Sequence, residues 1–338
     1  MRRSIAIVFA FAPCIARAAS PMTYMVSHGP AANPITALGW GLLGLSIVVA
    51  AFISLSVLIG IWWKRDRGEY DEVGWPVLSR GRNGMPWLTI GVPVSIVLLL
   101  LSAIWTFFVL GATAAPSKTP AITLVITGHQ WWWEVRYERE GAPQLTFDTA
   151  NEIHIPVGAP VRLRLMSADV IHSFWIPQLA GKTDTIPGQV NLAWLQADKP
   201  GVYRGQCTEF CGLQHAHMAM YVIAQEPRAF NAWWMAQLRD AAGPPAGLAL
   251  QGQSVFQARC AICHSVRGLA GSQGVLGPDL THLMSRRTIA AGTLPNNTGD
   301  LSAWISNSQS LKPGNDMPNE DLNGPQLQAL LAYLQTLK

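Results

Sequence analysis

Two long apolar segments, at about 35–63 and 88–110, limit the folds open to this chain. Each reaches the length of about 20 residues that a helix needs to cross a bilayer. In lipid, only helices and closed barrels satisfy their own backbone hydrogen bonds. Aromatic rings favour the membrane–water interface, and the segment ends carry Trp40, Trp62, Trp63 and Trp87. The pattern predicts a transmembrane hairpin rather than two buried helices of a soluble protein.

The basic residues around this hairpin are unevenly distributed. The outer flanks have almost none before Lys118, whereas the connecting loop carries Lys64, Arg65, Arg67, Arg80 and Arg82. Because positive loops stay on the cytoplasmic side, we expect everything after the hairpin to lie outside. The chain would then be a multi-pass protein of a bacterial inner membrane with its later domains in the periplasm.

Residues 1–19 have the features of a cleavable export signal. Arginines precede an apolar run at 5–15, and small residues follow it, as in secretory signals. Cys14 would then be discarded with the peptide, and lipid attachment at this cysteine is the alternative. The N-terminal segment and the hairpin would occupy 20–111.

The composition narrows the class of protein further. At 338 residues, with 49% hydrophobic and 13% charged residues, the chain is long enough for two or three domains and apolar enough to involve a membrane. Its net charge is only +4 and no Lys/Arg stripe with interleaved aromatics is present, so no nucleic-acid partner is expected. Four of the five cysteines fall into two motif pairs, which favours metal and cofactor attachment over a disulfide framework.

The first cysteine pair belongs to a loop of soft metal ligands. Cys207 and Cys211 are followed by His215 and Met218, which gives the pattern C-x-x-x-C-x-x-x-H-x-x-M. A disulfide or a zinc site would use the cysteines but leave Met218 unexplained. Thiolate, thioether and imidazole together suit copper, and two cysteines could bridge a pair of copper ions. Such a site would require a second imidazole from elsewhere in the chain, for which His172 is the best candidate.

This loop resembles the copper loop of cytochrome c oxidase subunit II, which holds the binuclear centre called CuA. The resemblance includes the glutamate between the cysteines and an upstream histidine. It implies two copper ions held by side chains and by one backbone carbonyl. The side chains are those of His172, Cys207, Cys211, His215 and Met218, and the carbonyl is that of Glu209.

The same resemblance implies roles for other parts of the chain. Trp131, the first of three consecutive tryptophans, takes the position where electrons enter in this family. The stretch 177–188 is similar to one that packs on the catalytic subunit, and the Glu209 carboxylate would ligate a magnesium ion at that boundary. Many family members carry a glutamate just before the second transmembrane helix. In those members the glutamate lies at the mouth of a proton path into the catalytic subunit. Residues 80–88 contain no acidic residue, so this chain lacks that glutamate.

From 112 to 239 the pattern changes to short runs of β-branched and aromatic residues separated by glycine and proline. Such runs predict strands, and the turn residues between them predict a Greek-key β-sandwich or barrel. The runs lie at 122–126, 133–137, 161–165, 190–195 and 218–223. The resemblance implies an all-β cupredoxin-like domain here, followed by a linker at 240–250.

The second cysteine pair lies in a separate module at 251–338. Cys260, Cys263 and His264 form the pattern C-x-x-C-H. In this pattern the two thiols attach haem and the imidazole ligates its iron. A thioredoxin-like redox pair is the alternative for two such cysteines, but the histidine and the absence of a βαβ pattern argue against it.

The remainder of this module resembles class I cytochrome c, an all-α fold. The resemblance implies one covalent haem c with Met317 as the axial ligand, and Met284 as a packing residue. The Pro278 carbonyl would orient the imidazole of His264, as partners of ligating histidines do. A helical pattern follows at 326–337.

As a whole, the chain after its signal resembles subunit II of a caa-type haem-copper oxidase. We therefore expect a multidomain membrane protein that joins a helical hairpin, a CuA domain and a cytochrome c domain. The resemblance implies a proton-pumping cytochrome c oxidase, in which this subunit takes electrons at the haem and passes them through CuA to subunit I. Oxygen would be reduced there. Further partners would be subunit III and a donor such as a cytochrome c or a cytochrome bc complex.

Other functions explain fewer of the motifs. A membrane-anchored electron carrier without an oxidase partner is the alternative with the same metal sites. A copper chaperone would need no haem, and a quinol oxidase subunit would lack the copper ligands. Nitrous oxide reductase shares the copper loop but normally has neither the hairpin nor the haem module.

Overall fold

The computed structural model describes residues 22–62, Val73 and 85–338. The predicted signal at 1–19 and the basic residues of the predicted cytoplasmic loop lie outside the described residues, as does Trp63.

The predicted hairpin is present as two long helices, α1 (Asn33–Trp62) and α2 (Met85–Thr113). Both are long and apolar enough to cross a membrane. Nearly all of their described side chains are exposed, which is expected of surfaces that face lipid. The helices also pack against each other.

Both outer ends of the hairpin are fastened to the following domain. Before α1, the backbone N–H of His28 donates to the Gln178 carbonyl at 2.7 Å, and the His28 carbonyl accepts from the Asp198 N–H at 2.7 Å. At the end of α2, the indole Nε1 of Trp194 donates to the carbonyl of Thr113, the last residue of the helix, at 2.8 Å. The two helices therefore meet the β-domain at two separate points.

The region after the hairpin is the expected β-sandwich. Its strands are β1 (Ile122–His129), β2 (Trp132–Arg139), β3 (Phe147–Ala150), β4 (Glu152–Pro156), β5 (Val161–Ser167), β6 (His172–Phe174), β7 (Thr183–Thr185), β8 (Asn191–Leu195), β9 (Gly201–Gln206) and β10 (Ala219–Gln225). One sheet has the order β3-β2-β1-β5-β8, the other β4-β10-β9, and β6 pairs with β7. The β1–β5 and β4–β10 pairs are parallel, and the others are antiparallel.

The sandwich core follows from the period of two in its strands. In β1, buried and half-buried residues alternate along the whole strand. Trp133 and Tyr137 of β2 are completely buried. Helix α3 (Pro227–Gln237) follows β10, and its Trp234 packs edge-on against Tyr137 with ring centres 5.3 Å apart.

The rest of the chain forms a helical module with its own core. Its helices are α4 (Leu248–Arg259), α5 (Thr298–Ser306), α6 (Ser308–Leu311) and α7 (Gly324–Leu334), and β11 (Thr288–Ile289) pairs with β12 (Leu294–Pro295). Phe256 and Tyr333 pack at its centre, with ring centres 5.4 Å apart. Asn323 and Gln326 form a capping box at the start of α7. Helix α4 begins at Leu248, inside the linker predicted at 240–250.

Helices α4 and α7 approach closely at Gly252. A Cβ at this position would lie 1.9 Å from the Ala329 carbonyl oxygen. We expect Gly252→Ala to reduce the free energy of unfolding of the module by about 1–3 kcal/mol or more, as in other overpacked cores. Chemical unfolding of the full chain, followed by haem absorbance, measures this loss. Gly324→Ala is the matched control, since no atom lies within 4 Å of that added Cβ. Equal stabilities would contradict the expectation.

The helical module packs directly on the β-sandwich. The Ala219 N–H of β10 donates to the Ala291 carbonyl at 3.0 Å. The Arg287 N–H donates to the Glu152 carboxylate at 2.9 Å, and that carboxylate is buried. Backbone and side-chain hydrogen bonds thus join the two modules.

Candidate metal centres

The cysteine loop connects β9 to β10. A backbone hydrogen bond from the Cys207 N–H to the Met218 carbonyl, 3.0 Å long, closes its base. His172 is the first residue of β6 and is completely buried. The fold therefore brings an upstream histidine to this loop from another part of the sandwich.

The side chains predicted as copper ligands converge. Cys207 Sγ lies 4.0 Å from His172 Nδ1 and 3.8 Å from Cys211 Sγ. Cys211 Sγ lies 3.5 Å from His215 Nδ1 and 3.9 Å from Met218 Sδ. The Glu209 carbonyl oxygen is 3.4 Å from Cys207 Sγ. The two sulfur atoms are too far apart for a disulfide, which requires about 2.05 Å.

This donor set fits a pair of soft metal ions. Two thiols, two imidazoles, a thioether and a carbonyl are more donors than a four-coordinate zinc site uses. Soft sulfur ligands combined with imidazole favour copper. Cys207, Cys211 and Met218 are almost fully buried, so water has little access to the ligands.

Hydrogen bonding shifts the two thiols in opposite directions. The pKa of Cys207 is lowered by its hydrogen bond with the Cys211 thiol, with a further contribution from His172, although burial opposes this shift. The same interaction and burial raise the pKa of Cys211. Burial disfavours a charge on His172, but its hydrogen bonds with Asp169 and Cys207 raise its pKa overall. The metal-binding thiolate form is therefore favoured at Cys207.

Asp169 holds the outer edge of the His172 ring. Its Oδ1 accepts from His172 Nε2 at 2.8 Å, which leaves Nδ1 facing Cys207. Loss of such a partner commonly weakens metal binding by about 10–100-fold. Asp169→Asn keeps an acceptor oxygen but removes its charge, so we expect a loss of copper affinity near the lower end of this range, measured by competition with a chelator. Asp148→Asn, which removes a surface carboxylate paired with Arg136 at 2.8 Å, is the control. If both variants bound copper equally well, Asp169 would have no such role.

Glu209, whose carboxylate was also predicted to ligate magnesium, lies in the copper loop and is partly exposed. Its Oε2 lies 3.5 Å from Lys182 Nζ, and the same ammonium lies 3.3 Å from Asp184. The stretch 177–188 therefore lies next to this carboxylate. The magnesium role stays a prediction.

Three histidines outside the predicted ligand set have polar partners. Nδ1 of His217 lies 2.7 Å from Gln214 Oε1. The other pairs are His129 with Glu134 at 3.2 Å and His154 with Gln225 at 2.8 Å.

The haem-attachment motif opens onto a cavity of about 390 Å³. Cys260, Cys263, His264 and Met317 all line this cavity. Nδ1 of His264 donates to the Pro278 carbonyl at 2.8 Å, as the resemblance implied, so Nε2 is left to serve as the ligand atom. The residues expected to attach and ligate a haem therefore share one cavity.

The walls of this cavity fit a large acidic cofactor. Arg286, which sequence reasoning did not select, lines the cavity and is half-buried. Its Nη2 donates to the Asp279 carbonyl, whereas its Nε is buried and has no hydrogen-bond partner among the described residues. Desolvation lowers the pKa of this guanidinium. A cation with a buried, unused donor favours a carboxylate such as a haem propionate. His264 lies directly on the backbone of Gly277, where a Cβ would come 2.6 Å from the ring.

Trp131 belongs to both candidate centres. Its indole Nε1 donates to the Cys211 carbonyl at 3.0 Å, and Trp131 also forms part of the wall of the haem-type cavity. Gly212, with a φ of +113°, permits this approach because a Cβ there would lie 3.1 Å from the ring. One aromatic side chain therefore lies between the copper-type cluster and the cavity.

Family models match both domains that follow the hairpin. Residues 139–225 match the family model for the periplasmic domain of cytochrome c oxidase subunit II, and residues 249–338 match the model for cytochrome c. A solved structure of the periplasmic domain of cytochrome oxidase subunit II from Bradyrhizobium japonicum is 32% identical. The match covers 36% of this chain and 96% of that chain, with a TM-score of 0.33.

Full-length relatives extend the similarity to most of the chain. Cytochrome c oxidase subunit 2 of Alkalihalophilus pseudofirmus is 37% identical over 302 residues, which cover 87% of this chain and 85% of the relative. Subunit 2 of a Bacillus species is 30% identical over 291 residues, which cover 82% of this chain and 80% of the relative. The chain therefore belongs to the cytochrome c oxidase subunit II family and carries a cytochrome c domain after its copper-type domain.

Proposed function

We propose that this subunit takes electrons from an external donor at a covalent haem c and passes them through a binuclear copper centre to subunit I. Its family makes it part of a haem-copper terminal oxidase. The route of the electrons and the pumping of protons by the assembly are parts of the proposal. The donor would be a cytochrome c or a cytochrome bc complex, and subunit III would complete the assembly.

The position of Trp131 is the observation that carries this proposal. Its ring lines the same cavity as His264 and Met317, while its Nε1 is bonded to the backbone of Cys211. A short connection between two redox centres is what an electron relay needs. We assign to Trp131 the point where electrons enter the copper domain.

The copper pair would be held by the converging ligands of the β9–β10 loop and β6. These are His172, Cys207, Cys211, His215 and Met218, with the carbonyl of Glu209. Asp169 fixes the His172 ring, and the sandwich holds the loop ends through a strand-to-strand hydrogen bond. A rigid frame of this kind keeps the ligand positions unchanged during electron transfer.

The haem would be attached by Cys260 and Cys263 and ligated by His264 and Met317. When bound, such a haem and a copper pair each supply reversible one-electron chemistry. Arg286 would neutralise a propionate inside the cavity. In this proposal the copper domain spans 112–239, the linker 240–250 and the cytochrome domain 251–338.

Subunit I would contact the face beside the copper loop, on the periplasmic side of the membrane. Phe210, next to Glu209 in this loop, exposes 77% of its surface. Exposed aromatic residues are typical anchors of protein interfaces. The carboxylate of Glu209 and the stretch 177–188 lie at the same face, which suits a magnesium ion shared with that subunit.

Spectroscopy of the full chain tests this function directly. The chain would be produced in membranes with copper and haem maturation supplied, and purified in detergent. We expect an electron paramagnetic resonance signal from one electron shared by two copper nuclei, together with a c-type haem band after reduction. A signal from isolated copper, or no copper signal beside an intact haem, would overturn the proposed relay.

A further inference from the structure

A buried lysine fastens the methionine loop, residues 312–317 of the cytochrome module, to the copper domain. Lys312 directly follows α6 and is only 2% exposed. Its Nζ donates to the Trp131 carbonyl at 2.7 Å and to the Ala290 carbonyl at 3.3 Å. The side chain therefore reaches across the boundary between the two modules.

The stability of the fold does not explain this residue. Both hydrogen-bond partners are neutral carbonyls, and burial lowers the pKa of the ammonium to about 7. Burying a cation without a counter-charge opposes folding. The contribution of Lys312 is instead geometric, because it joins the backbones of two modules at a single point.

Hydrogen bonds continue from Lys312 to the proposed haem ligand. The Lys312 carbonyl accepts from Asn315 Nδ2 at 2.7 Å, and Asn315 Oδ1 accepts from the Met317 N–H at 2.9 Å. In the other direction, Trp131 Nε1 donates to the Cys211 carbonyl at 3.0 Å. Lys312 therefore completes a continuous path that has Met317 at one end and Cys211 at the other.

The same loop also contacts the copper loop beside this path. Gln214 Nε2 donates to the Pro313 carbonyl at 2.8 Å. A Cβ at Gly314 would lie 3.2 Å from the Leu213 side chain. The methionine loop is therefore seated against the copper domain over several consecutive residues, with Lys312 as its buried contact.

We propose that Lys312 is a positioning residue for electron transfer, which holds the Met317 loop against Trp131 at a fixed separation. This inference rests on the proposed function, since it concerns the step between the two centres. The transfer moves one electron and no atoms: the haem iron is oxidised and the copper pair is reduced. Lys312 carries no electron and acts only through the contact between the two loops.

The test compares variants of the full chain in detergent, loaded with haem and copper. We expect Lys312→Met to slow haem-to-copper electron transfer by about tenfold, the population change that corresponds to the loss of one buried hydrogen bond. Lys312→Arg keeps a charged donor and should restore the rate to within about threefold of the unmodified chain. Lys338→Met removes an exposed lysine of the same module and should leave the rate unchanged. Rates are followed after a light-induced reduction of the haem.

Amide hydrogen exchange gives a second readout that does not depend on electron transfer. In Lys312→Met, the rate of amide exchange should rise about tenfold in the segments 130–133 and 311–317. In Lys338→Met, this rate should stay unchanged. Should Lys312→Met fail to load haem, Lys312→Gln takes its place with the same expectations.

The outcomes separate this inference from the proposed function. If the unmodified chain shows no haem-to-copper transfer, the proposed function itself is wrong. If it does, and Lys312→Met matches it in rate and in exchange, the positioning role is wrong and the relay stands. The role is equally overturned if Lys312→Arg is as slow as Lys312→Met while both keep normal haem and copper spectra.

Discussion

Cys207→Ser should abolish the signal of an electron shared by two copper ions and leave the haem c absorbance intact. The Cys207 sulfur lies within 4.0 Å of both His172 Nδ1 and Cys211 Sγ, so its loss removes a central ligand. A serine oxygen is a hard ligand with little preference for copper. The loss of copper affinity should be larger than the change of about 10–100-fold that is typical when a residue supporting a metal ligand is lost. Electron paramagnetic resonance and a metal-to-haem ratio on the purified full chain measure it.

The matched control is His217→Gln. It removes the exposed imidazole of His217, which lies in the same loop two residues after His215. This imidazole contacts the Gln214 side chain. This variant should keep the copper signal of the unmodified chain. The haem absorbance reports folding in both variants, because the cytochrome module has a separate core. A full shared-electron signal in Cys207→Ser would show that Cys207 does not hold the pair.

Met317→Leu should lower the midpoint potential of the haem by on the order of a few hundred millivolts, within the about 0.8 V that axial ligands span. A thioether ligand raises the potential of a haem, and leucine offers no ligand atom. Cys260 and Cys263 would still attach the haem, so the absorbance remains available for the measurement. A redox titration of the full chain gives the potential. A haem of lower potential is a weaker oxidant of the donor and a stronger reductant of copper, so the step from donor to haem should then limit electron delivery.

Met284→Leu is the control for this change. Met284 is the other methionine of the module and packs beside its hydrophobic core. Exchanges of methionine and leucine in a core usually cost less than about 1.5 kcal/mol. We expect no change in potential. If Met284→Leu lowered the potential and Met317→Leu did not, the assignment of the axial ligand would be reversed.

Most ligands of both centres could be selected from the sequence because they lie in short motifs, whereas His172 and Met317 lie outside these motifs and rest on the resemblance to known families. Residues 207–218 carry their donors at fixed spacings, and Cys260 to His264 are contiguous. The groups that act on these ligands could not be selected in this way. Lys312 meets Trp131 across 181 positions, and Arg286 reaches the haem-type cavity from a loop. Contacts of this kind arise from the packing of two modules, which no local pattern encodes.

Three of the strands that sequence reasoning missed have physical reasons for being missed. Strands β6 and β7 have three residues each, too few to show a period of two. Strand β4 is buried at all five positions, so it has no alternation. Its polar residues are accommodated by specific partners, since Glu152 accepts from the Arg287 N–H and His154 contacts Gln225. Such strands are defined by their neighbours rather than by their own composition.

The fastening of the hairpin at both outer ends decides how the copper domain sits above a bilayer. A domain attached to one helix can swivel about that tether. Here the contacts of His28 before α1 and of Thr113 at the end of α2 form two attachment points, and rotation about either would break the other. The copper loop is thereby held at a constant height and tilt. A partner in the same bilayer needs only to diffuse sideways, in two dimensions and in one orientation, to meet it.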